Sequence, residues 1–198
     1  MNMSLRTDQN AERDAERHAM RITIDHLWSG QPAEPGERVH LELSVDGGDL
    51  RVDIDAPLHR DPPPPAPIGA TPGLWEFEVV ELFLLGAGAR YLELEFGPSG
   101  HWLALTLCGP RNVIDHPAAI EFPPPAVLHD RWQGRARVPR AALPEGLSRW
   151  NAHAIHGQGA ARRYLSAIPA GGLRPDFHQL DVAAPLAAEL RARLAAVD

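Results

Sequence analysis

Apolar and polar residues alternate with a period of two over most of this chain, the signature of strands with one face buried. Arg21-Ile-Thr-Ile-Asp-His-Leu-Trp28 alternates and stops at Ser-Gly. Val39-His-Leu-Glu-Leu-Ser-Val45 alternates, Asp46-Gly-Gly-Asp49 supplies residues tolerant of positive φ, and Leu50-Arg-Val-Asp-Ile54 resumes the pattern, which predicts a β-hairpin. Leu74-Trp-Glu-Phe-Glu-Val-Val-Glu-Leu-Phe-Leu-Leu85 and Tyr91-Leu-Glu-Leu-Glu-Phe-Gly-Pro-Ser-Gly-His-Trp-Leu-Ala-Leu-Thr-Leu107 predict three consecutive antiparallel strands. In that register Val80, Leu82 and Leu84 share one face, whereas Val79, Glu81 and Phe83 share the other. Glu93 and Glu95 lie opposite Leu92, Leu94 and Phe96, so one face is core and the other collects something polar.

The alternation returns at Trp132-Gln-Gly-Arg-Ala-Arg-Val138, at Arg149-Trp-Asn-Ala-His-Ala-Ile155 and at Arg163-Tyr-Leu-Ser-Ala-Ile168, with Gly157-Gln-Gly159 joining the last two. Pro139 to Pro144 reads as a helical turn opened by proline. Helical spacing enters only near the end, where Leu186, Leu190 and Leu194 predict a helix over Ala184 to Val197. About nine short strands with little helix between them argue for an all-β antiparallel sandwich with a short C-terminal helix, a closed barrel being the rival. The expected division is a polar, disordered tail over residues 1–19, a sandwich over 20–182 and the helix over 183–198.

A length of 198 residues suits one domain with its own core, and the 20 Pro and 17 Gly fit a turn-rich fold. Pro62-Pro-Pro-Pro65 and Pro67 make residues 56–73 a loop, because proline brings no ladder donor. It serves either as a rigid segment covering a sheet edge or as a recognition surface. A formal charge of -7 with thinly spread basic residues, all of them arginine, excludes the basic footprint of a nucleic-acid binder. Cys108 is the lone cysteine, so neither a disulfide framework nor a multi-cysteine zinc site exists. With no secretory signal pattern and no run of about 20 apolar residues, the chain is expected to be cytoplasmic and to have no membrane partner. Nothing in the sequence prescribes an oligomeric state.

The candidate chemistry sits on the polar face of the central strands. Glu78, Glu81, Glu93 and Glu95 are its acids, and arginines such as Arg135, Arg137 or Arg111 are expected to meet them, since ionised carboxylates are rarely buried unpaired. Trp75, at a loop-to-strand junction beside the Pro-rich loop, is sited to stack on the flat C–H face of a sugar, with Trp102 a weaker candidate. Trp28, Trp132 and Trp150 are assigned mainly to packing. Asn151 and His153 share a strand face, with His156 on the other. His153 with His156 and His178 could be read as part of a metal site, but the spacing is not diagnostic, and neither metal nor cofactor is expected. Ser99 and Ser166 lack a nucleophile elbow, and Cys108 reads as an inert thiol.

The stretches Leu74 to Leu84, Tyr91 to Trp102, Arg111-Asn-Val, Asn151 to Gly157 and Pro175-Asp-Phe-His178 resemble a widespread family of DOMON-like domains, which is similar to type 9 carbohydrate-binding modules. The resemblance covers about residues 20–186 and implies an antiparallel β-sandwich. In the sugar-binding relatives a sugar end lies between aromatic rings and is held by acidic, amide and basic side chains. By that likeness Trp75 would be a stacking platform, Glu81 a hydroxyl acceptor, and Asn151 and Arg111 further contacts. A second sandwiching Trp has no counterpart here. Met/His haem ligation, as in some DOMON domains, is not expected, because the methionines stand only at positions 1, 3 and 20. The resulting expectation is a non-catalytic binding domain for a small carbohydrate or polyhydroxylated ligand. A glycoside hydrolase using paired carboxylates and an interaction module built on the Pro-rich loop are the alternatives.

Overall fold

The computed structural model describes residues 18–172 and 174–196; the expected polar tail lies outside them as far as residue 17. Two antiparallel sheets pack face to face. The smaller runs β1 (Met20–Ile24), β3 (Val39–Asp46), β4 (Asp49–Pro57), β10 (Arg131–Val138) and β9 (Ala126–Leu128), in that spatial order. The larger runs β2 (His26–Leu27), β12 (Arg163–Ser166), β11 (Arg149–His156), β5 (Val79–Leu85), β6 (Arg90–Phe96), β7 (Trp102–Cys108) and β8 (Val113–Asp115), with β13 (Ala184–Pro185) added to β11. The fold is an all-β sandwich. The β3–β4 turn is carried by Gly47 and Gly48, both at positive φ, as a tight hairpin requires.

The alternating residues meet between the sheets: Leu41, Leu43, Val52 and Ile54 from the smaller sheet face Leu82, Leu84, Leu92, Leu94 and Phe96 from the larger. Trp132 and Trp150 are buried in this layer, and Trp28 is buried as well. The expected division of the central strands between two faces is the one observed, and the pairing sets Leu82 opposite Leu94 and Glu81 opposite Glu95.

The far face of the larger sheet departs from a simple inside-apolar, outside-polar division. Val79, Phe83, Leu85, Tyr91, Leu103, Leu105, Leu107 and Ile155 form a second apolar layer there, with Leu74 from the preceding turn and Phe177 and Leu180 from the segment after β12. Every residue of β5 is therefore buried, and the glutamates of that face are embedded in apolar surroundings rather than solvated.

The C-terminal helix α1 spans Ala188–Ala195, shorter than the expected Ala184 start. Ala184 pairs with Trp150 and Leu186 N–H donates to Ser148 O, so these residues extend the sheet before the helix can begin. Val197 lies outside the described residues. The Pro-rich segment has no ladder and is pinned at both ends. Glu78 accepts the N–H groups of His59 (2.9 Å) and Asp61 (3.2 Å), and the His101 Nε2 lies 3.1 Å from Ala66 O. Among the described residues no helix is long and apolar enough to cross a membrane.

Candidate functional site

The site is built from adjacent rows across the larger sheet. In one row His153 on β11 lies opposite Glu81 on β5, which lies opposite Glu95 on β6, which lies opposite Leu103 on β7. In the next row Asn151 faces Phe83, Phe83 faces Glu93, and Glu93 faces Leu105. Directly paired side chains stand about 5 Å apart at Cβ, so three carboxyl groups and an imidazole crowd one patch. Glu81, Glu93, Glu95 and His153 are at most 4% exposed.

Above this patch opens a cavity of about 360 Å³. Glu81 and Glu93 reach its wall together with Leu105, Leu107 and Ile155, while Trp75, Tyr164, Arg111 and the segment Pro175 to His178 complete it. Glu95 and His153 lie against these residues without lining the space. Trp75 stands at the rim, 42% exposed although the whole of β5 behind it is buried. Its position follows from a 3-10 turn at Leu74–Glu76, entered through Gly73 at φ 77°, a conformation that favours glycine. The Arg162 guanidinium donates to the carbonyls of Trp75 (2.5 Å) and Glu76 (2.8 Å), which fixes that turn to the β11–β12 connection.

The opposite wall is held by stacked rings. Phe177 lies parallel to His153, centroids 3.9 Å apart, and His153 meets Phe83 edge-on at 5.3 Å. The Arg111 backbone N–H donates to the Tyr91 hydroxyl (3.2 Å), and the same hydroxyl lies within hydrogen-bond distance of His178 Nδ1, 2.7 Å away. The Arg111 guanidinium binds Asp176 at 2.7 Å, a pair at the cavity mouth.

Burial and crowding shift the protonation of the patch. Burial, and then the Glu93 charge, hold the Glu81 carboxyl well above the ordinary carboxylate range. Glu95 is raised likewise by burial and by the neighbouring Glu81 and Glu93. Burial pushes Glu93 up to about 7. Burial, reinforced by His178, pushes His153 down to about 3, and burial with the Arg111 charge pushes His178 down to about 4. The Tyr91 phenol is carried up to about 12 by burial. Near neutral pH these histidines are uncharged and the acids share protons.

Several expected residues sit elsewhere. Arg135 binds Asp53 and Arg137 binds Asp49 on the smaller sheet, so neither meets the glutamates. Trp102 packs into the inter-sheet core, because β7 presents it on the same face as Ala104. The Glu78 carboxyl is raised by burial, which its two backbone donors oppose, and it anchors the Pro-rich segment rather than the cavity. Asn151 has spent its amide on the backbone: its Nδ2 donates to Ile168 O and Val182 O, and its Oδ1 accepts from Ala152 and Ile168. His156 projects from the other face and stacks on His59 at 3.5 Å, away from His153 and His178. Among the described residues no group of three or more metal-ligating side chains exists. Tyr164, Asp176, Phe177 and His178 were not among the expected contacts. Pro175-Asp-Phe-His178 stands out as a motif, yet an irregular segment carries no periodicity from which its position could be read.

No family model matches the sequence. It is 37% identical over 172 residues to the UPF0462 protein C4orf33 homolog of Danio rerio, an alignment covering 82% of this chain and 86% of that protein. UPF0462 protein C4orf33 of Homo sapiens is 36% identical over 174 residues, covering 82% and 85%, and the Mus musculus homolog is 34% identical over 178 residues, covering 84% and 90%. The chain belongs to the UPF0462 family. Among solved structures this UPF0462 member resembles one described as a putative carbohydrate-binding protein from Bacteroides uniformis, with a TM-score of 0.64 and 86% of each chain covered. At 16% identity that likeness shows the shared fold.

Proposed function

We propose that the Trp75 cavity binds one small carbohydrate or other polyhydroxylated molecule without altering it chemically. The observation that carries this is the pairing of an exposed indole at the rim with a wall that holds the buried Glu81 carboxyl and a Glu93 Oε2 without a hydrogen-bond partner. Apolar walls with a few polar groups suit a ligand that offers C–H faces and hydroxyls at once. The cavity volume is that of a small-molecule site. The likeness of the strand motifs to DOMON-like and type 9 carbohydrate-binding domains, and a fold neighbour described as carbohydrate-binding, support the same role. We place the binding domain in the cytoplasm, in keeping with its single free Cys108. Calorimetry against mono- and disaccharides tests the proposal. Saturable binding that is lost in Trp75→Ala is the expected result; no binding at millimolar concentration, or binding indifferent to that substitution, would refute it.

A hydrolytic role draws on one observation, that Glu81 and Glu93 reach the same cavity with raised proton affinities. Glycoside hydrolysis needs two carboxyls whose environments push them apart, one held protonated and one ionised. Here burial raises all three acids in the same direction rather than pushing a pair apart, which favours binding over turnover. Release of nitrophenol from a panel of nitrophenyl glycosides, abolished by Glu81→Gln, would reverse that preference.

A further inference from the structure

The Arg162 and Arg111 charges act on Glu81 and Glu93, but both guanidinium groups spend their hydrogen bonds on other groups. Glu81 reaches the wall with only 2% of its surface exposed. Glu93 Oε2 lacks a hydrogen-bond partner and stands 4.0 Å from His178 Nδ1, which is itself within hydrogen-bond distance of the Tyr91 hydroxyl. The two guanidinium groups within reach are committed elsewhere, Arg111 to Asp176 and Arg162 to the carbonyls of Trp75 and Glu76. A buried carboxylate without a partner is costly, and a donor that brings positive charge relieves both the missing hydrogen bond and the missing counter-charge. The remaining wall supplies aromatic faces from Trp75, Tyr164 and Phe177, surfaces that attract an organic cation as well as a sugar ring.

We propose that the preferred ligand carries a protonated amino group, an amino sugar or amino polyol, whose ammonium is received between the Glu81 and Glu93 carboxyls. This rests on the carbohydrate-binding reading of the same cavity and narrows it to a charged class. Hydroxyl-only ligands offer the acids hydrogen-bond donors but no positive charge against which to ionise. The amino compound meets both needs.

The test is calorimetry on the full chain near pH 7, where aliphatic amines are charged. Glucose, galactose, mannose and sorbitol are each compared with the counterpart in which one hydroxyl is replaced by an amine. The amino member of at least one pair is expected to bind about tenfold tighter or better, the scale of a hydrogen bond to a charged group. In Glu81→Gln the ratio of affinities within each pair should fall to about one, whatever the change in the neutral member's own affinity. Glutamine keeps the shape and removes the charge; should Glu81→Gln fail to fold, Glu93→Gln is read by the same criterion. Equal or weaker binding of every amino member, or an advantage that survives the glutamine variant, overturns the amine proposal and leaves carbohydrate binding intact. No binding by either member of any pair overturns both.

Discussion

Three side chains show how neighbours decide whether a residue serves the cavity or the scaffold. Trp75 is 42% exposed, and its turn is held by Arg162 through the Trp75 carbonyl. Trp75→Ala should therefore change the free energy of unfolding by no more than about 0.5 kcal/mol, the range of surface substitutions, while lowering ligand affinity at least about tenfold. Urea denaturation and calorimetry on the same preparation separate the two effects. Asn151 has the opposite profile. Its amide makes four hydrogen bonds that tie β11 to Ile168 and Val182, so Asn151→Ala should cost about 2–3 kcal/mol through the unpaired backbone groups it leaves behind. Denaturant titration measures that loss, and a variant as stable as the parent would show these bonds to be replaceable by water. Phe177 joins both roles, since its ring stacks on His153 and forms cavity wall.

The elements were legible in the sequence wherever one period governed both faces. The strands of the hairpin and the central trio follow directly from alternation, and so does the gathering of Glu81, Glu93 and Glu95 on one face. Alternation says which side chains share a face but not what covers that face. The second apolar layer comes from Leu74, Phe177 and Leu180, which sit in a turn and an irregular segment, so Trp102, Glu78 and Asn151 could be grouped with the cavity only until their partners were known. The same limit hid β13, since two residues carry no period. Turn chemistry is clearer. Gly157 closes β11 at φ 76°, and a Cβ there would stand 2.4 Å from Ala161 O, so Gly157→Ala combines a disfavoured backbone with a backbone clash. The expected cost is about 1–3 kcal/mol. Because the β11–β12 connection carries Arg162, which holds the Trp75 turn, the variant should also weaken ligand binding, a coupling that calorimetry at a temperature well below its unfolding midpoint would reveal.

For the whole molecule, two opposed sets of buried titratable groups set the dependence of stability on pH. Burial lowers His59 to about 4, His153 to about 3 and His178 to about 4, from an ordinary value of 6.5. Each contributes stability that is complete above 6.5 and is lost as pH falls through the folded value, because the unfolded chain takes up the proton first. Burial raises Glu81, Glu93 and Glu95 from 4.5, Glu93 to about 7. Their contribution is complete below 4.5 and is lost as pH rises through the folded value, because the unfolded chain releases the proton first. Between 4.5 and 6.5 the two slopes oppose each other. Below that window only the histidine slope remains, and above it only the carboxyl slope. The free energy of unfolding should therefore peak in mildly acidic solution and decline from about pH 6.5 towards about pH 8, a range in which many proteins are near their most stable. Urea denaturation at a series of pH values gives the curve. Glu93→Gln should flatten its alkaline arm and leave the acid arm in place, since it removes one crowded proton site and none of the histidines. A parent whose stability instead climbs from pH 6.5 to about pH 8 would mean that the three buried carboxyls ionise without cost, and the cavity would lose its reason to prefer a ligand that brings a positive charge.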